Sequence, residues 1–94
     1  MTEGDFRELL AAQGYNEIRE TAYQPGSENE LHTHEFSALL MVLEGEFVLV
    51  GEQGVERFGA GEMCDVPAGT VHAERTNASP ARVLAGIKYP AEQD

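Results

Sequence analysis

From residue 32 the chain sorts its side chains into two alternating sets. His32, His34, Phe36, Ala38, Leu40 and Val42 fall on one parity, and Thr33, Glu35, Ser37, Leu39, Met41 and Leu43 on the other. A period of two is the signature of a strand, so residues 31 to 43 are predicted to be one, with the histidine face looking inward. That face is apolar beyond its two histidines. The opposite face begins polar and ends apolar, so part of the outside of the sheet needs a cover, either a helix or a second subunit.

Other segments repeat the pattern at short range. Residues 15 to 24 alternate imperfectly and read as one exposed strand or two short ones, closed by Pro25-Gly26. Phe47 to Val50, Val55 to Phe58, Met63 to Val66, Thr70 to Thr76 and Arg82 to Tyr89 are further strand candidates, separated by Glu44-Gly45-Glu46, Gly51 to Gly54, Gly59-Ala60-Gly61 and Pro67-Ala68-Gly69. Turn signals every eight to twelve residues argue for an all-β sandwich or barrel. Residues 5 to 13 are the exception. Asp5 can cap a helix there, with Glu8 in the capping-box position, and Phe6, Leu9 and Leu10 share one side. Gly14 is expected to end it, and from Pro90 to Asp94 the chain reads as a polar tail.

The chain has three histidines. On a regular strand His32 and His34 point the same way with Cα atoms roughly 6.5 Å apart, so two imidazoles can share one metal ion. His72 has to come from another strand. The frame around them is Gly26-x5-His32-x-His34-x3-Ala38-x6-Gly45, then Gly61-x5-Pro67-x-Gly69-x2-His72-x3-Thr76-Asn77. This closely resembles the paired motifs of the cupin superfamily, G-x5-H-x-H-x3-E-x6-G and G-x5-P-x-G-x2-H-x3-N. The likeness spans residues 26 to 77. It departs at two positions: Ala38 stands where the family has a glutamate ligand, and Thr76 stands in the asparagine's slot, with Asn77 one place late.

The resemblance implies an all-β fold, a cupin-type small β-barrel (a double-stranded β-helix, or jelly roll) with one short N-terminal helix, as a single domain over residues 1 to 94. It also implies one divalent transition metal (zinc, iron, nickel, manganese or copper) on His32, His34 and His72, with a small organic molecule in an apolar cavity. Small cupins are commonly dimers, so a homodimer is expected, with the second subunit favoured as the cover of the apolar outer face. With alanine at position 38, three neutral imidazoles would leave a divalent ion its full charge, so an anionic ligand is expected. Glu74, two places after His72, shares the metal-facing side on a regular strand. It can complete the coordination, hydrogen-bond a ligating histidine or act as a base, and it is the candidate catalytic residue; a glutamate reaching out through the barrel rim is the alternative. Glu35 should point away from the metal.

Composition narrows the partners. Seventeen acidic residues against six basic ones give a formal net charge of -11, a surface that repels phosphate backbones and anionic lipid, so neither nucleic acid nor membrane is an expected partner. The amino terminus lacks a basic region followed by an apolar one, so no secretory leader is expected and the cytoplasm is the default residence. Cys64, the single cysteine, forms no internal disulfide and reads as a small buried side chain. Tyr15 and Tyr23 can line a pocket, although packing with the hydroxyl at the surface is their commoner fate. Two function classes follow: a metal-dependent enzyme of oxygenase or isomerase type, and a non-enzymatic ligand-binding or sensor barrel, with or without metal.

Overall fold

The computed structural model describes residues 1–90, so the tail expected over 90 to 94 lies, from residue 91, outside the described residues. The chain runs α1 (Glu3–Ala12), β1 (Glu17–Tyr23), β2 (Ser37–Glu44), β3 (Glu46–Gly51), β4 (Gly54–Gly59), β5 (Met63–Val66), β6 (His72–Arg75) and β7 (Ala81–Lys88). The strands form two antiparallel sheets, one ordered β1-β7-β2-β5 and the other β4-β3-β6.

The long strand expected over 31 to 43 is shorter than its alternation suggests. Ladder pairing begins at Ser37, and between residues 31 and 36 only His32 pairs, as an isolated bridge to His72. His32 and His72 exchange both backbone N–H···O bonds, at 2.8 and 3.0 Å. His32 therefore belongs to the β6 side of the molecule and Ser37 to the β7 side. Between them the chain changes sheets, as strands at the corner of a sandwich do, while the inward alternation of His34, Phe36, Ala38 and Leu40 persists along the cavity wall.

Between the sheets one end is packed solid. Val42, Phe47 and Val83 are buried there, backed by Tyr23, Leu40, Leu49, Phe58 and Cys64. Toward the other end Ala38, Ala85 and Ile87 leave more room. Small side chains there open the cavity.

The helix starts earlier than expected. Thr2, not Asp5, is the N-cap: its hydroxyl accepts the Asp5 N–H at 3.1 Å, and the Asp5 carboxylate accepts the Thr2 N–H at 3.4 Å. Asp5 thus completes the capping box in place of Glu8, because Thr2 offers the same chemistry three places upstream. Gly14, at φ +83°, ends the helix as expected. On the other flank α1 buries Phe6 and Leu10 against Met41 and Leu84. The helix thus covers the part of the apolar outer face around Met41 and Leu84, one of the two covers the alternation allowed.

Leu10 reaches this contact because Gly86 has no side chain; a Cβ on Gly86 would run into the Leu10 Cδ2 methyl.

Candidate metal centre

All three histidines meet. Their ring centroids lie 4.5 Å (His32 to His72), 4.7 Å (His32 to His34) and 5.2 Å (His34 to His72) apart. Glu74 joins them, with one carboxylate oxygen 3.4 Å from His32 Nε2 and the other 3.5 Å from His72 Nε2. One ligand atom from each of these four residues lies within 4.8 Å of every other. Two donors each about 2.1 Å from a tetrahedral ion stand about 3.4 Å apart, so the two glutamate contacts already have the spacing of neighbouring ligands. The rim alternative for Glu74 gives way to the inward one.

The donor chemistry fits a metal. His32 Nδ1 lies 2.7 Å from the Glu30 carbonyl and His72 Nδ1 lies 2.9 Å from the Thr70 carbonyl. A carbonyl can only accept, so each Nδ1 carries the proton and each Nε2 lone pair is left facing the cluster. Burial lowers the pKa of His34, and the neighbouring His32 and His72 push the same way, against the carboxylate of Glu74, so the neutral ring that a metal requires is favoured.

Asn29, which the sequence did not single out, holds Glu74 in place. Its amide Nδ2 donates to a Glu74 carboxylate oxygen at 2.9 Å, and its Oδ1 accepts the Glu74 backbone N–H at 2.8 Å. The departure at Thr76 also has a structural reason. The buried Thr76 hydroxyl donates to the Gln24 carbonyl at 2.5 Å and accepts the Ser27 N–H at 2.9 Å, tying the loop before the histidines to the end of β6.

The centre opens into a cavity of about 200 Å³, walled by Phe36, Ala38, Leu40, Val66, Ala85 and Ile87, with Arg19, Thr21 and Tyr23 entering from β1. This is smaller than the usual range for drug-sized ligands. Tyr23 is a wall residue, and burial first, then Glu74, pushes its hydroxyl up to about 12. Tyr15 lies elsewhere, packed against the α1 cluster. Glu35 is exposed, as expected. Cys64 is partly buried beside Val42 and Phe47, packed as its small side chain suggested, and burial pushes its thiol up to about 12.

Glu74 changes the charge argument made from Ala38. A carboxylate is present after all, brought by β6 rather than β2, and a divalent ion on this set would keep one net positive charge.

The fold and the four-residue site define a class, and comparison with known proteins agrees. The family described as Cupin domain matches residues 19–87, most of the chain, and the protein belongs to that family. Among solved structures, protein TT1209 of Thermus thermophilus is 33% identical with a TM-score of 0.63, covering 76% of this chain and 70% of its own. The polyketide cyclase RemF of Streptomyces resistomycificus is 26% identical with a TM-score of 0.67, the match covering 82% of this chain and 61% of the cyclase. A sugar phosphate isomerase of the cupin superfamily from Silicibacter pomeroyi is also 26% identical, with a TM-score of 0.66; the match covers 79% of this chain but half of the isomerase. No curated protein sequence matches. No helix among the described residues is long and apolar enough to cross a membrane.

Proposed function

We propose that the protein binds one divalent transition metal through His32, His34, His72 and Glu74 and uses it to act on a small organic molecule held in the adjoining apolar cavity. One observation carries this reading: three imidazoles and a carboxylate converge at the wall of a cavity with room for a small ligand. When bound, the ion supplies Lewis acidity to an oxygen of the ligand. The chain's own residues supply the rest. Phe36, Ala38, Ala85 and Ile87 exclude water and hold the apolar body of the ligand. Glu74, oriented by Asn29 beside both His32 and His72, would bind the ion through one carboxylate oxygen and offer the other as the acid–base group. Proton transfer within a ligand held at an oxygen is isomerase-type chemistry, and two of the similar structures, the isomerase and the cyclase, carry names compatible with it.

The deciding experiment is a titration of tag-free, chelator-stripped protein with zinc, iron, nickel, manganese and copper, read as bound metal and as melting temperature. A metal held at one hundred times its Kd stabilises by about 2.7 kcal/mol, so the melting temperature should rise by about 10 to 20 °C. His34→Ala should remove the rise. No saturable site, or one indifferent to His34→Ala and His72→Ala, would sink the reading. The homodimer remains part of the proposal, supported by Ile18, exposed on the edge strand β1; sedimentation equilibrium giving only the monomer mass would remove it.

A further inference from the structure

Arg19 is the cationic side chain of the cavity wall, in a chain with 17 acidic residues and six basic ones. It enters from β1 on the same face as Thr21 and Tyr23. Its guanidinium carbon sits 5.3 Å from the Phe36 ring centroid, and Phe36 in turn stacks on His34 with centroids 4.5 Å apart and planes 22° from parallel. The guanidinium therefore lies within about 10 Å of a proposed metal ligand, across one aromatic ring. Stacking on Phe36 holds it in place.

Its present partners leave it free to bind more. Arg19 Nε donates to Glu17 at 2.6 Å and Nη2 donates to the Tyr89 hydroxyl at 3.4 Å, both on an exposed rim. An exposed ion pair of this kind is weak and screened by solvent, and among the described residues most of the five guanidinium N–H groups have no other partner. A planar fork of N–H groups recognises a carboxylate with two parallel hydrogen bonds. Between this fork and His34 stands the apolar ring of Phe36.

We infer that the ligand is a small apolar carboxylic acid with a second oxygen at its far end: Arg19 takes the carboxylate, the Phe36, Ala38 and Ala85 wall takes the body, and the second oxygen reaches the metal centre. This rests on the metal-site reading above, and it gives the anionic preference a different cause. With Glu74 in the ligand set the ion retains only one unit of charge, so Arg19, rather than a bare ion, selects the acid.

The test compares 4-hydroxybenzoate with its neutral isostere 4-hydroxybenzamide at pH 7.5 by calorimetry, on zinc-loaded and on metal-free protein. The wild-type protein should favour the acid by about tenfold or more. Arg19→Gln should bring the acid down to the level of the amide while zinc affinity is unchanged, and Arg19→Lys should restore part of the preference. Glu17→Gln, which frees the fork, should tighten acid binding, a gain that misfolding cannot imitate. An acid preference that survives Arg19→Gln, an equal affinity for acid and amide, or no binding of the acid at millimolar concentration would each overturn the inference. Failure of zinc to bind would instead overturn the metal reading, and the metal-free arm would still judge Arg19.

Discussion

Asn29 makes two hydrogen bonds to one residue, Glu74, through its amide group to the carboxylate and through its carbonyl to the backbone. Loss of this clasp leaves the carboxylate free to turn away from His32 and His72. Partners that orient a metal ligand typically contribute 10- to 100-fold in affinity, so Asn29→Ala should weaken zinc binding by about tenfold. Asn29→Asp, which sets a second carboxylate against Glu74 and pushes the ligand out of place, should weaken it further. A calorimetric Kd that rises from wild type to alanine to aspartate supports the positioning role, and an unchanged alanine Kd removes it. Melting of the metal-free proteins shows whether Asn29 matters to the fold alone. Asn29 was not legible in the sequence, because nothing in a polar loop marks which amide will meet a glutamate 45 residues on. The histidines were legible, since their spacing is itself a geometric statement.

At the scale of elements, α1 and β7 meet through an absence. Leu10 fits where Gly86 has no side chain, and Phe6 and Leu10 together bury the face of Met41 and Leu84. Gly86→Ala should therefore push α1 outward. Overpacking of this kind costs about 1 to 3 kcal/mol, and amides of α1 should lose hydrogen-exchange protection while those of β3 keep theirs. Leu10→Ala in the same background should recover part of the loss by removing the collision; a double variant no better than the worse single one would count against this packing. The alternation along residues 34 to 40 shows correctly which side chains face the cavity. It does not show that the chain changes sheets before Ser37, because side-chain parity survives a corner and backbone pairing does not. The start of α1 escapes the sequence for a related reason: Thr2 and Asp5 offer the same capping chemistry, and the choice depends on which start brings Phe6 and Leu10 onto the sheet.

The whole molecule carries its burial energetics into its pH dependence. Tyr23 and Cys64 are both pushed up to about 12, from 10.0 and 9.0, with burial as the first cause. The neutral forms are those the folded state holds, so the folded pKa values exceed the unfolded ones. Their contribution is complete below about pH 9 and is lost as the pH rises toward 12. Urea midpoints of metal-free protein should fall across that window, and Tyr23→Phe and Cys64→Ala should each flatten the fall. An alkaline limb as steep in the double variant as in the wild type would place the titrating groups elsewhere.

The order of residues alone was enough for the class of the molecule: turn spacing called for an all-β sandwich or barrel, and two glycine-framed histidine motifs, by their resemblance to the cupin pattern, pointed to the small barrel and to three imidazoles at one site. These are local properties, set by periodicity and by the few residues able to make sharp turns. It took the packed molecule to show that Glu74 sets its carboxylate beside His32 and His72, that Asn29 holds it, that α1 meets the sheet at Met41 and Leu84, and that Arg19 stands across Phe36 from His34. Each of these depends on segments distant in the chain arriving at one place, and the distance and direction of such an approach are settled by how the two sheets pack.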